Sequence, residues 1–243
     1  MNRLALGVGL AGTAALVLAA GPALAVVQTF GGPAAGTVIA GDRPDGGTAP
    51  GDFFPDFTVS VLNNDAGPAA AIIFDSSNPT GGDTDLGTPN QSCGGPGVGT
   101  GGEIGEPGEN CTPYGNLLII ADNIDDFVPP YGIVDDPDDE EEGGMIAFDF
   151  DMEVVLQNIV IIDVDQGAVQ MVEQGATLCV YVEARDLEDN AVESVDLSGT
   201  ARGSFTRIEI HFTGSAAIAQ IEYQPLTVSV QETSWGQTKA RFR

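Results

Sequence analysis

Residues 144–151, GMIAFDFD, and residues 154–165, VVLQNIVIIDVD, decide how this chain folds. In the first stretch Ile146, Phe148 and Phe150 alternate with Met145, Ala147 and Asp149. A period of two is what a strand with one apolar face writes into sequence. The second stretch is almost continuously apolar, as expected of a strand covered on both faces. Neither carries the 3.6-residue spacing of an amphipathic helix, and no segment after residue 25 does so convincingly.

The same strand signals recur on both sides. Residues 56–63 (DFTVSVLN), 69–75 (AAAIIFD) and 116–122 (NLLIIAD) precede the deciding pair. Residues 176–186 (ATLCVYVEARD) follow it, offering Leu178, Val180 and Val182 inward. Residues 204–214 (SFTRIEIHFTG) offer Ile208, Ile210 and Phe212 inward and Arg207, Glu209 and His211 outward; residues 217–224 and 226–232 close the set. Roughly ten strands separated by Gly, Pro, Asn and Asp turns predict an all-β fold, a two-sheet antiparallel β-sandwich or jelly roll. Two long loops interrupt the pattern, one Gly-rich from about residue 81 to 114 and one acidic from residue 122 to 144. Loops of that length in a small domain are either functional or variable decoration.

The first 25 residues read as a secretory leader: Arg3, an apolar run from Leu4 to Ala20, and a small-x-small site at residues 23–25. An exported chain beginning near Val26 is therefore expected, with a Gly- and Pro-rich segment at 26–50, the sandwich at 51–232 and a basic tail at 233–243. The formal net charge is −28, from 36 acids against 8 Lys and Arg. That balance makes nucleic acid and anionic membrane surfaces poor partners, since both need clustered cations. It favours divalent cations and saline surroundings. Cys93 and Cys111 flank a Gly-rich loop, and in an exported protein their pairing is expected. Closing that loop stabilises by roughly 3 kcal/mol in the chain-entropy view. Cys179 reads as a small, unpaired strand residue.

The motif that bears most on function is the polar loop after residues 69–75, FDSSNPTGGDTDLGTPN at residues 74–90. It contains Asp83-x-Asp85-x-Gly87, and Asp163-x-Asp165-x-Gly167 repeats that form at the end of the most apolar strand. Alternate Asp residues in an extended chain point the same way, so two carboxylates can reach one ion. Calcium takes such oxygen ligands, with Asn and carbonyl groups completing the shell. The first-choice ligands are Asp75, Asn78, Asp83 and Asp85, and the second are Asp163 and Asp165. The competing reading is an Asp-Gly turn held by Asx hydrogen bonds. Neither copy has the third acid or terminal Glu of an EF-hand. The run VDDPDDEEEGG, residues 134–144, reads as a solvated acidic face. GVGTGG, residues 97–102, matches a dinucleotide fingerprint by letters alone: no helix pattern follows, and Glu103, Glu106 and Glu109 would repel a pyrophosphate. His211 is the sole histidine and has no nucleophile in a recognisable frame, so an enzyme is not expected. Phe127 and Tyr131 are the best loop aromatics for stacking on a sugar, although pinning their own loop to the sandwich is the simpler role.

The segments FDSSNPTGGDTDLGTPN, NLLIIAD, DDEEEGGMIAFDF, IVIIDVD and TRIEIHFTGSAAIAQIEY resemble, in that order, secreted bacterial β-sandwich modules of PEP-CTERM and choice-of-anchor surface proteins. The resemblance covers about residues 70–223. It implies a galactose-binding-like jelly roll and export, and most such modules have no assigned activity. The chain departs from the PEP-CTERM pattern in having no PEP signal and no C-terminal apolar helix. The tail, TSWGQTKARFR, instead gathers Lys239, Arg241 and Arg243 in its last five residues. The sequence thus predicts a calcium-stabilised, non-enzymatic β-sandwich of the cell surface or matrix, meeting surface glycans or matrix proteins. A carbohydrate-binding module using Phe127 and Tyr131 is the alternative.

Overall fold

The computed structural model describes residues 24–129, 131–164, 170–171, 180–181, 187–198 and 203–226. The two deciding stretches join in one strand, β7, running from Gly144 to Ile162, which ends before Asp163 and Val164. Its first half lies between β4 (Phe57–Asn63) and β11 (Phe205–Phe212). Its second half lies between β10 (Val192–Asp196) and β12 (Ala217–Pro225). The halves meet at Asp151, Met152 and Glu153, three consecutive exposed residues. Here the register with β11 jumps, from Arg207 opposite Asp149 to Phe205 opposite Val154. A strand serving two sets of neighbours must bend, and an irregularity in the ladder is how a strand bends. A second irregularity falls at Gln157: Glu222 faces Asn158 and Tyr223 faces Leu156, leaving Gln157 as the extra residue. Its oxygen instead accepts the Leu197 amide at 2.7 Å. The inserted residue reverses which face is which, so Leu156 points inward before it and Ile159 and Ile161 after it.

The remaining strands build outward from β12. On one side come β6 (Asn116–Ile120), β5 (Ala70–Asp75), β2 (Val38–Asp42) and β3 (Thr48–Pro50). Beside β11 lie two short pieces, β8 (Gln170–Met171) and β9 (Val180–Tyr181), and β1 (Val26–Thr29) pairs with β12. All pairings are antiparallel and all twelve strands belong to one curled sheet. Among the described residues there is no α-helix, only 3-10 turns at Thr84–Leu86 and Gln91–Cys93. Residues 26–50, read from the sequence as a segment ahead of the sandwich, contribute β1, β2 and β3 to the sheet. Of the expected strand at residues 226–232 only Leu226 is described, exposed and just past β12; residues 227–232, Cys179, and the inward residues Leu178 and Val182 lie outside the described residues.

Two apolar clusters sit on opposite faces. The inner one joins Ala71, Ile73, Leu118, Ile120, Ile146, Phe148, Ile161 and Ile218 with a train of rings, Phe30, Phe54, Phe57, Phe150 and Tyr223. Phe57 stands at its centre, 5.2–5.3 Å from Phe54, Phe148 and Phe150. The Tyr223 hydroxyl escapes the apolar surroundings by donating to Asp56 Oδ2 at 2.6 Å. The outer cluster takes the other residues of the same strands, Ala70, Ile72, Phe74, Leu117, Ile119, Val160 and Ile162. Leu86 from the loop of residues 76–115 and Val134 from the loop of residues 122–143 complete it. The two long loops are therefore the cover of the outer face, which places their acidic residues against a desolvating floor.

Candidate functional site

The loop after β5 closes first at its root. The Thr88 amide donates to the Ser76 carbonyl at 2.8 Å, and the Ser76 and Thr88 hydroxyls meet at 2.6 Å. Thr88 Oγ1 then accepts the Tyr114 amide at 3.0 Å. With its ends tied, the loop drops Leu86 into the outer cluster, fully buried. Asp83, immediately before the 3-10 turn, does not cap it with its side chain. Its Oδ2 instead accepts the Asp139 amide at 2.8 Å. Further stitches join the two loops: Thr80 Oγ1 donates to the Pro137 carbonyl at 3.0 Å and the Gly81 amide to Asp136 Oδ1 at 2.8 Å.

These stitches assemble an acidic centre. Oxygen atoms of Asp83, Asp138 and Asp139 lie within 4.8 Å of one another. Asp139 is almost wholly buried, its Oδ2 accepting from Ser215 Oγ at 2.5 Å and from the Ala216 amide at 3.0 Å. The same Ser215 oxygen is 3.1 Å from Asp163 Oδ2. A serine hydroxyl has one proton, so it can satisfy only one of the two carboxylates at a time. Asp163, at 3 % exposure, also accepts the Asn190 amide at 2.7 Å, and Asn190 Nδ2 donates to the carbonyls of Asp85 and Gly87. Asp85 adds its charge to the field at Asp139. Asp163, from the second D-x-D-x-G stretch, is thus brought beside the first stretch, which the sequence offers as a separate site.

Burial and mutual repulsion govern the protons there. Burial, then the charge of Asp139, pushes the Asp83 carboxyl up to about 9. Burial also lifts Asp139 to about 7, against the pull of its bond from Ser215. Burial raises Asp138 as well. Among the described residues, no cation is a leading influence on any of these three carboxyls. Ion pairs among the described residues lie elsewhere: Arg43 with Asp45, and Arg207 with Asp149 and Glu209, the last also 3.3 Å from His211. Glu209, expected to point outward, is buried at 6 % exposure, its carboxylate shared by those two basic groups.

The other expected site residues are placed differently. Asp75 accepts from the Ser77 amide at 3.0 Å and hydroxyl at 2.6 Å, and its carbonyl accepts the Asn78 amide at 3.0 Å. This is the Asx turn that competes with a ligand role. Asp75 and Asn78 line a groove with Thr80 and Asp135, and Asp75 is not among the carboxylates that converge on Asp83. Asp165 lies outside the described residues. Cys93 and Cys111 are joined, with Cα atoms 5.3 Å apart. The acidic run is not uniformly solvated: Asp135, Asp136, Glu141 and Glu142 are exposed, but Asp139 and Glu140 are buried. Sequence reasoning missed Asp138, Asp139 and Ser215, because nothing in the run's composition says which residues turn inward. A second group, Asp65, Glu140 and Glu142, also brings oxygens within 4.8 Å, but two of the three are exposed to water. GVGTGG has a packing role. A Cβ on Gly97 would stand 2.7 Å from Asn190 Nδ2, and one on Gly99 2.4 Å from the Asp189 carbonyl.

The aromatic loop residues face out. Phe127 is 78 % and Tyr131 70 % exposed, against the expectation that they pin their own loop. That loop is held by its acids instead. Asp135 Oδ2 accepts the amides of Phe127 and Val128, both at 2.6 Å, and Asp126 Oδ2 accepts that of Gly132. Compared with family models, with characterised proteins and with solved structures, the chain matches none.

Proposed function

We propose that the chain is an exported, non-enzymatic β-sandwich of a bacterial surface or extracellular matrix, stabilised by calcium at the acidic centre. In this reading the two halves of the curled sheet are the layers, facing each other across the ring train of Phe57. The resemblance to choice-of-anchor modules supports the sandwich and export. The observation that carries the calcium reading is the trio Asp83, Asp138 and Asp139, whose oxygens lie within 4.8 Å of one another with no cation from the described residues among their leading influences. Such a trio either holds protons or holds a cation, because adjacent charges in a partly desolvated place cannot otherwise coexist. Calcium suits it: the ligands are all carboxylate oxygens, which calcium accepts in more flexible arrangements than magnesium does.

Thermal unfolding at fixed ionic strength tests this. A ligand present at a hundred times its Kd adds about 2.7 kcal/mol, which for a domain of this size raises Tm by roughly 5–10 °C. A saturable rise with calcium, absent with sodium, is the expected result. A rise that follows ionic strength alone would mean screening of the −28 charge and would sink the site.

Exposed Phe127 and Tyr131 favour a second reading, a carbohydrate-binding module. Aromatic faces held on a tied loop can stack on sugar rings. A glycan array probed with the protein and with the Phe127→Ala/Tyr131→Ala variant decides it. Silence, or equal binding by both, removes this reading.

A further inference from the structure

The disulfide and the acidic centre are joined by a relay of buried asparagines. Asn90 is the N-cap of the turn that ends at Cys93, and Asn110 directly precedes Cys111. The bridge holds these two together, the Asn90 amide donating to the Asn110 carbonyl at 2.6 Å. Both grip Asn190. Asn90 Nδ2 donates to Asn190 Oδ1 at 2.8 Å, and Asn110 Nδ2 to the Asn190 carbonyl at 3.1 Å. All three asparagines are fully buried. Asn190 in turn fixes the acidic centre, donating its amide to Asp163 Oδ1 and its Nδ2 to the Asp85 carbonyl. It does so from the left-handed region, φ 65°, which Asn enters more readily than most residues. The relay has little slack: a Cβ at Gly102 would stand 2.5 Å from the Asn190 carbonyl.

We propose that the Cys93–Cys111 disulfide is a redox switch that acts on the acidic centre through Asn190. Oxidised, the bridge keeps Asn90 and Asn110 closed on Asn190, and Asp85 and Asp163 are held in place. Reduction by an external dithiol breaks the S–S bond. The dithiol gives up two electrons and two protons, closing to its own disulfide, and Cys93 and Cys111 become thiols. The ends of the Gly-rich loop then separate, Asn190 loses its grip and the carboxylates move apart. Where the proposed cation reading also holds, affinity falls with reduction, so a chain exported reduced gains its site only on oxidation.

Hydrogen exchange on the full protein in chelator, before and after dithiothreitol, tests the switch without a cation. The Asn190 amide is expected to exchange at least about tenfold faster after reduction while amides of β11 keep their rate, as local rather than global opening requires. Equal rates, or one uniform acceleration throughout, would overturn the proposal, since a crosslink acting only on the unfolded chain gives the latter. Oxidised Asn190→Ala should expose the Ala216 amide as reduction does, and reduction should add nothing further; an additive effect counts against the relay. If that variant does not fold, Cys93→Ser/Cys111→Ser in chelator repeats the first comparison without a reductant: its Asn190 amide should exchange as fast as in the reduced parent with β11 unchanged, and parent-like exchange would overturn the switch. A parallel calcium titration separates the two ideas: exchange that differs in protein blind to calcium leaves the switch standing and removes the cation.

Discussion

The two faces of the sheet are buried by different means. Strand β5 serves both, sending Ala71 and Ile73 inward and Ala70, Ile72 and Phe74 outward. Inside, strand meets strand through interlocked rings such as Phe57 with Phe148, 5.3 Å apart and nearly perpendicular. Outside, strand meets loop: Leu86 and Val134 come down from the loops fully buried, and Tyr114 and Ile124 pack beside them half-buried. Polar side chains bonded to backbone hold that cover in place: Ser76, Thr88 and the three asparagines. A face covered by strands takes its precision from packing. A face covered by loops takes it from hydrogen bonds, and carboxylates can be drawn into it at the cost of their charge.

The contrast is sharpest when one plug is removed from each face. Phe57→Ala empties the centre of the ring train, and large aromatic truncations in a core cost about 3–5 kcal/mol. For a domain of this size that lowers Tm by roughly 6–20 °C. Leu86→Ala should cost about 2–3 kcal/mol, the low end for buried leucine, because a loop can settle into the gap. Denaturant unfolding of both variants measures the difference. A larger loss for Leu86 would mean that the loop cover, and not the strand core, limits stability.

Next in size is an effect whose sign depends on the solution. Asp139→Asn keeps an oxygen for Ser215 and Ala216 but removes a buried charge. In chelator the variant should be more stable than the parent by about 1 kcal/mol, as relief of an uncompensated buried group. In saturating calcium it should be less stable, having lost a charged ligand. Melting curves that keep the same order in both solutions would break the link between the outer face and a cation.

The same carboxylates set a pH dependence opposite to that of ordinary surface acids. Asp83, raised from 3.8 to about 9, and Asp139, raised to about 7, bind protons more tightly in the folded state. Their contribution is complete below the unfolded value of 3.8 and drains away as pH climbs through 7 to 9. Asp196, lowered by its bonds from Ser198, works the other way and loses its contribution only when pH falls below about 4. In chelator, Tm should therefore decline between pH 5 and pH 9 by a few degrees. Calcium should flatten that decline. A flat profile without calcium would show that the centre is already neutralised by other means.

How much of this was legible beforehand follows from the same division. Alternation named the inner residues Ile146, Phe148, Ile208, Ile210 and Phe212, because strand burial is periodic. Continuous apolarity marked residues 154–165 as covered on both faces, and the burial is continuous only from Ile159 to Ile162 in the strand, with Val155, Gln157 and Asn158 half-buried. Alternation did not show that β7 is one strand, since the bend at Asp151–Glu153 reads as a turn. Nor did it show β1 to β3, which are short and interrupted by Gly and Pro. Asp83, Asp85 and Asp163 were visible as motifs, but their meeting place depends on Ser215 and Asn190, which are remote in sequence and carry no spacing signal. Glu209 fell on the outward phase and is nevertheless buried, because period two assigns a face and not what covers it.

The smallest expected effect falls where neither kind of cover operates. Phe127 is anchored by its own amide on Asp135, and Tyr131 sits beside Gly132, whose amide is held by Asp126; neither is anchored by its ring. Replacing both by Ala removes exposed surface and leaves those bonds intact, so stability should change by no more than about 0.5 kcal/mol. Asp135→Ala frees the amides of Phe127 and Val128 and should loosen the loop while leaving the rings chemically whole. If the tip is a binding surface, both variants lose glycan affinity, the first through contact and the second through order. If the ring variant melts several degrees lower, the aromatics pack after all, and the outer face extends to the tip of its own loop.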